Sequence, residues 1–372
     1  MADLFAQGLS RRSVLSAGAM GLLAGAVGAA AAPRPAGLTI TEVDSLTLQV
    51  VTDSATFGPF LDNLNLPGMK VVRAGNGGGP GPRMLPHALL GEFGLSIHAA
   101  STLNAQTRRV MVDFGYTHEV LTNNMALLGI DPARIDAAVL SHGHLDHYGG
   151  YAGLFGADAG RGHHLPLTVG GEETFCERVA LIGNPPPIMG TLDRAALAKA
   201  GFAVQIDPRP SLIADHAFTT GVIPLNSFER AAIPTQMRPG VGCDRTLLDA
   251  AKRGAVQLPD DGEHELATCY AIKGLGLVVI ASCSHRGVIN SVRQAQAVSG
   301  IDKVHAVIGV GRGGAALSPI LAGFLFAGGI SLSGVAIVMA CGSLASLAAL
   351  AFTRLRLADV VHGAEEVAPV SA

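Results

Sequence analysis

The sequence predicts a mixed α/β or α+β fold built around a histidine-rich loop. Two observations point there. Short apolar, β-branched runs fall into two groups with helical stretches between them. One of these runs, Ala137-Ala138-Val139-Leu140, leads directly into Ser141-His142-Gly143-His144-Leu145-Asp146-His147-Tyr148-Gly149-Gly150. Its apolar residues read as a buried strand and the closing glycines as a loop exit.

The elements follow in order. Residues 46–51 alternate as a strand, and 75–82 form a Gly/Pro loop without the Gly-Lys-Ser/Thr ending of a phosphate loop. Residues 96–100 and 109–113 read as paired strands, 118–128 as a helix, and Asp131-Pro132 as the start of the next turn. Asp113 ends its strand beneath the histidine loop, where it can orient that loop's ligands. The triplet Asp113-Phe114-Gly115 has no His-Arg-Asp loop to make it a kinase signature. Between 163 and 262, strands and short helices alternate around loops such as Asn184-Pro185-Pro186-Pro187, a substrate rim. Residues 266–272 and 275–283 read as a hairpin turned at Lys273-Gly274, 288–298 as a helix and 303–310 as a last strand.

The histidine loop carries the chemistry. Imidazole and carboxylate at this density suit zinc, or iron or manganese, better than a structural cation. On an extended loop, His142 and His144 can share one metal while Asp146 and His147 turn toward a second. Four ligands do not close two sites, so positions stay open for water, as catalysis requires. Asp146 and His147 are the candidate catalytic residues. Cys283 and His285 are two apart at a strand end and can share a face. Cys283 reads as a small core thiol, as half of a Cys–His nucleophilic pair, or as a side chain approaching the metals. His163, His164, His216 and His264 are the candidates for a ligand from the middle of the chain; His98 reads as a strand residue.

Net charge is −3 over 372 residues with 15% charged, so there is no basic footprint for nucleic acid. The arginines at 83, 108, 109, 238 and 245 are scattered and form no phosphate clamp; a small-molecule substrate is expected, of unspecified charge. The five cysteines are widely spaced with no Cys-x-x-Cys, so a disulfide framework is not expected. Gly309, Gly311 and Gly314 match Gly-x-Gly-x-x-Gly, but no acidic residue follows across 315–353, which rejects a dinucleotide site.

His-x-His-x-Asp-His after a strand resembles the metallo-β-lactamase fold superfamily. Further stretches resemble its dihydropterin–ribofuranosylaminobenzene-phosphate synthase-like branch: Gly94-Leu95-Ser96, Arg109-Val110-Met111-Val112-Asp113, Leu127-Leu128-Gly129-Ile130-Asp131, Arg134 through His142, and Cys283-Ser284-His285-Arg286-Gly287-Val288-Ile289-Asn290. The resemblance runs over roughly 46–310. It implies a four-layer αβ/βα sandwich and makes His285 a further metal ligand, closing one of the two sites. It implies a hydrolase that uses two divalent metal ions, zinc before iron or manganese, to turn water on an ester, lactone, amide or phosphoester. A transferase of the branch's namesake type is the alternative. The resemblance fails after Gly309. The branch continues into Gly-Phe-His-Leu, whose histidine is the last ligand, whereas this chain continues Val310-Gly311-Arg312-Gly313-Gly314. A non-catalytic homologue lacking that ligand is therefore the third reading.

Four segments are expected: a leader over 1–32, a catalytic domain over 37–312, an apolar tail over 313–356 and a disordered end over 357–372. Ser10-Arg11-Arg12-Ser13-Val14-Leu15 with the Gly/Ala stretch behind it resembles a twin-arginine export signal. Export would place the domain in the periplasm or on the outer face of the cytoplasmic membrane. Three readings of the tail stand: a membrane anchor at 330–352, long enough for a roughly 30 Å hydrocarbon core, a frame-disrupted end, or a helical hairpin broken at Gly328-Gly329. Oligomeric state is not readable.

Overall fold

The computed structural model describes residues 38–54, 64–66, 68–71, 89–155, 162–181, 183, 185–231 and 233–309. The leader, the tail and the chain end expected at 357–372 lie outside the described residues. Among the described residues, no helix is long and apolar enough to cross a membrane.

Two six-stranded sheets form the frame. The first runs Phe202–Ile206, Leu165–Val169, Ala137–Leu140, Gln106–Val112, Leu95–Leu103 and Ser45–Asp53. Its first four strands are parallel and its last two antiparallel. The second runs Leu212–Ile213, Ala217–Thr219, Thr268–Ile272, Gly276–Ser282 and Val304–Gly309, with Glu42–Val43 added alongside Thr268–Ile272.

Side-chain alternation decides which face meets what. Ile97, Ala99, Val110, Val112, Ala137 and Val139 of the first sheet meet Ile213, Ala217, Tyr270, Val278 and Ile280 of the second in one buried cluster. The intervening residues Met111, Ala138 and Leu140 face outward onto Leu121 and Met125 of the helix His118–Leu128. On the far side, Cys269, Ala271, Val279 and Ala281 meet Ala295 and Val298 of the helix Val288–Ser299. Helix, sheet, sheet, helix is the four-layer αβ/βα order. Each fully buried aliphatic side chain in these layers contributes about 1.5–3 kcal/mol.

The helix at 118–128 and the strand at 137–140 have the bounds read from the sequence. The paired strands run further than expected, to Leu103 and back from Gln106, because Asn104 and Ala105 turn them with φ of 47° and 64°. That turn lacks the glycine that usually marks it. The later hairpin starts only at Thr268, because Leu266 donates its N–H to Ser141 O rather than to a neighbouring strand (3.0 Å).

A third, four-stranded sheet was not foreseen in its pairing: Ile188–Gly190, Glu177–Ala180, Thr235–Arg238 and Leu258–Pro259. It also overturns the expectation about cysteines. Cys176 and Cys243 form a disulfide, Cα to Cα 4.6 Å, although 67 positions separate them. Antiparallel pairing of Arg238 with Glu177 brings the flanking segments together, and spacing along the chain carries no trace of that.

The carboxyl ends of the parallel strands open on one edge, the usual place for a site in such sheets. Asp113 and Ser141 follow two strands of the first sheet and Cys283 follows one of the second. Ser282 Oγ donates to Asp113 Oδ2 (2.8 Å), tying the two sheets together at that edge.

Candidate metal centre

The histidine loop is shaped by close packing. A Cβ on Gly143 would collide with the carbonyl oxygen of Thr174, and one on Gly94 with that of Asp146, so only glycine lets the backbones approach there. After Gly143 the chain enters the short helix Leu145–Tyr148, with His147 N and Tyr148 N donating to His144 O (2.9 and 3.1 Å). That turn brings His142, His144 and His147 together: the His142 ring lies 4.6 Å from His144 and 4.3 Å from His147 between centroids. The His285 ring arrives from the second sheet, 4.8 Å from both His142 and His144. All four rings are buried.

Each loop histidine has one ring nitrogen held by the protein. Ser141 Oγ pairs with His142 Nδ1 (2.9 Å). His147 Nδ1 donates to Asp113 Oδ2 (2.7 Å). His144 Nε2 faces Asp260 Oδ2 (3.5 Å) and Thr235 Oγ1 (3.3 Å). Fixing one nitrogen of an imidazole sets its tautomer and leaves the other for a metal. His142 Nε2 is buried with no hydrogen-bond partner, an arrangement that a protein without a ligand at that place seldom tolerates.

The donor atoms fall into two groups, each within 4.8 Å: His142, Cys283 and His285, and Asp146, His147 and Cys283. Asp146 Oδ2 is 3.2 Å and Cys283 Sγ 2.9 Å from His147 Nε2. The expected pairing of Asp146 with His147 is present. His142 groups with His285 and Cys283 rather than with His144, whose ring nevertheless adjoins both histidines.

Electrostatics agree with a cation site. Burial, reinforced by the neighbouring imidazoles, holds His142 well below the usual histidine range, so its lone pair is free of a proton. Burial also lowers His144, against the pull of Asp260. For His147 burial is outweighed by Cys283, Asp113 and Asp146, which raise it well above its ordinary value. Acidic and thiol groups converging on one buried imidazole call for positive charge, which a metal ion would supply. The residues present therefore fit a divalent cation.

Behind the loop stands a network that sequence reasoning missed. Fully buried Arg178 donates through Nε to Asp260 Oδ2 (3.0 Å) and through NH1 to Cys176 O (2.7 Å). Burial would raise the Asp260 carboxyl, but Arg178 and His144 hold it well below the carboxylate range. His264 Nε2 accepts from Gly143 N–H (3.0 Å), and burial with nearby Arg178 keeps the ring neutral. His264 thus supports the loop from behind. His216 pairs with Ser101 Oγ (3.1 Å) between the sheets, and His163 stacks on Phe155 (4.0 Å), with His164 next to it in sequence. None of these four joins either donor group among the described residues. A Pro-rich rim carrying an Asp 116 positions after His144 offers no spacing signal to find Asp260. A further carboxylate trio, Glu173, Asp261 and Glu263, is filled by the ammonium of Lys252, which bonds all three.

A family model described as Metallo-beta-lactamase superfamily matches residues 97–164. The chain is 30% identical over 222 residues, 59% of its length, to 7,8-dihydropterin-6-methyl-4-(beta-D-ribofuranosyl)-aminobenzene-5'-phosphate synthase of Methanocaldococcus jannaschii, covering 70% of that protein. Among solved structures, a quorum-quenching N-acyl homoserine lactone lactonase is 10% identical, with 74% of this chain and 95% of that one covered and a TM-score of 0.36. A B3 metallo-beta-lactamase with an active-site glutamic acid is 15% identical, with 58% and 76% covered and a TM-score of 0.29. Nothing about activity follows from likenesses this distant.

Proposed function

This chain belongs to the metallo-beta-lactamase superfamily and is a distant homologue of the archaeal synthase, and from the superfamily we propose that it is a metal-dependent hydrolase. Its substrate is a small molecule carrying an ester, lactone, amide or phosphoester, and its cofactors are two divalent ions, zinc before iron or manganese. The observation that carries the reading is the arrangement of ring nitrogens: three loop histidines each tied at one nitrogen, with His285 and Asp146 beside them. Bound metal ions lower the pKa of water toward ~7 and polarise a substrate oxygen.

The chain's own residues do the rest. His142, His144 and His285 would hold one ion, and Asp146 with His147 the other. Asp146 orients the attacking water, and Asp113 keeps the His147 proton on Nδ1. The loop is buried, which strengthens every charge interaction within it. Metal analysis of the purified full chain tests this directly. Two equivalents are expected, with a clear loss in His144→Ala; less than one equivalent in the wild type, or no loss in the variant, sinks the reading.

The synthase relative favours a second reading, transfer to an acceptor other than water. Product analysis separates them, since a hydrolase incorporates solvent oxygen into its product and a transferase does not. We further place the protein outside the cytoplasm, exported by the twin-arginine route. The Arg11-Arg12 leader supports this, and so does the Cys176–Cys243 disulfide, a bond that persists mainly in oxidising compartments. Cell fractionation of Arg11→Lys/Arg12→Lys checks it; unchanged export removes the assignment.

A further inference from the structure

The two loops that carry the candidate ligands leave different sheets, so the distance between them has to be set by a third segment. Three consecutive residues, His264-Glu265-Leu266, touch both. Toward the first loop, His264 Nε2 accepts the Gly143 N–H (3.0 Å) and Leu266 N–H donates to Ser141 O (3.0 Å). Those two bonds flank His142 on either side. Toward the second loop, the Glu265 carboxylate accepts His285 N–H through Oε1 (2.8 Å) and Arg286 N–H through Oε2 (2.7 Å).

Glu265 is buried, at 1% exposure. A carboxyl in such a place is costly unless its oxygens are hydrogen-bonded, and here the donors are two main-chain amides of the turn that presents His285. That turn does not follow from residue preference. Ser282 and Ser284 have φ of 45° and 52°, in the left-handed region that non-glycine residues seldom adopt. Such conformations persist only where surrounding contacts enforce them. Ser284 N–H donates to Ala281 O and Gly287 N–H to Ser284 O (both 2.9 Å), which closes the turn and aims the amides of 285 and 286 at one carboxylate. The His285 ring is thereby delivered 4.8 Å from that of His142, whose buried Nε2 has no hydrogen-bond partner.

We propose that Glu265 is a positioning residue for the metal centre, fixing His285 against His142 through the main chain. The proposal rests on the metal-site reading above and deepens it. Glu265 belongs to neither donor group among the described residues; both its oxygens are engaged by amides. Without it the His285 and Arg286 N–H groups lose their acceptor, and the turn loses the contact that ties it to the segment holding His142.

Zinc affinity of the full chain, read by competition with a chelator in a double-mutant cycle, tests it. Folded Glu265→Ala is expected to weaken zinc binding about 10–100-fold, as removal of a ligand's supporting partner does. In the His285→Ala background the same change should alter the remaining affinity by less than about twofold, because the residue it positions is gone. An equal loss in both backgrounds, the mark of a general loosening of the fold, overturns the proposal, and so does wild-type affinity in Glu265→Ala. Should Glu265→Ala not fold, Glu265→Gln keeps the volume and one acceptor oxygen, and the same cycle applies: coupling to His285 supports the proposal and its absence overturns it. Zinc bound without that coupling overturns the Glu265 assignment while leaving the metal site standing. A wild-type chain that binds no zinc overturns both.

Discussion

Two buried carboxylates brace the histidine loop, and they do so in opposite ways. Asp113 braces His147 with no lysine or arginine among its hydrogen-bond partners: its oxygens accept from Ser141 N (2.7 Å), Ser141 Oγ (2.8 Å), Ser282 Oγ (2.8 Å) and His147 Nδ1. Asp260 faces His144 with its charge offset by the Arg178 guanidinium. The first half is an amide, two hydroxyls and an imidazole converging on an anion, which orders two strand ends and a loop at once. The second is an ion pair, which in a protein interior balances a large desolvation penalty against its attraction. The lesson is that the two halves should fail differently when cut.

The larger effect is expected at Asp113. Asp113→Ala leaves a backbone N–H, two hydroxyls and the His147 Nδ1 proton without acceptors in a dry environment. An orphaned buried donor costs about 1–3 kcal/mol, and four are created together, so denaturant unfolding should lose roughly 4–12 kcal/mol. Metal at the Asp146/His147 side should go with it. A variant that melts like the wild type and keeps two zinc equivalents would mean that Asp113 braces nothing.

Arg178→Met should come next, at about 3–5 kcal/mol, since it strands Asp260 as an unpaired buried charge. The paired change Arg178→Met/Asp260→Leu should recover part of that loss, because the uncompensated charge is gone. No comparable rescue exists on the Asp113 side. The acid limb separates the halves further. The Asp260 carboxyl is held below its unfolded value of 3.8. Its contribution is therefore fully present above that value and is lost as pH falls through the folded one. Wild-type stability from this pair should hold down to about pH 4 and decline only below it. In Arg178→Met the decline should begin at higher pH. Unfolding measured across a pH series decides; parallel curves for the two proteins would break the ion-pair account.

The same contrast explains what the sequence made legible. His142, His144, Asp146 and His147 lie in six consecutive positions after a uniformly apolar strand, so local pattern alone exposes them. Asp113 could be placed beneath the loop because it ends a strand that neighbours Ala137–Leu140, a relation of adjacent elements. Asp260, Arg178, Thr235 and His264 meet only through the pairing of four short strands in the rim sheet and the loops around it, and strand register between distant segments leaves no periodic mark. The Cys176–Cys243 bond was missed for that same reason. Cys283 was legible as a residue and ambiguous as a role, because nothing in a sequence announces that the serines on either side of it turn left-handed. The four layers themselves followed from strand and helix order joined to the family resemblance; alternation alone set no more than a mixed α/β class.

The smallest effect is expected from Thr235→Val, and it is the sharpest test of the second half. Thr235 Oγ1 lies 3.3 Å from both His144 Nε2 and Asp260 Oδ2, a hydroxyl spanning the imidazole and its carboxylate. Valine keeps the shape and the β-branch that suits the strand Thr235–Arg238, so packing and pairing with Glu177–Ala180 should survive. Only the hydroxyl's hydrogen bonds are lost, a change of about 0.5–1.5 kcal/mol. Asp260 retains Arg178 and Gly262 N–H, so no charge is stranded. Zinc affinity, read by competition with a chelator, should weaken by less than about tenfold, below the 10–100-fold usual when a ligand's supporting carboxylate is removed. A loss as large as that of Arg178→Met would show that this hydroxyl, and not the Arg178–Asp260 pair, fixes the His144 ring.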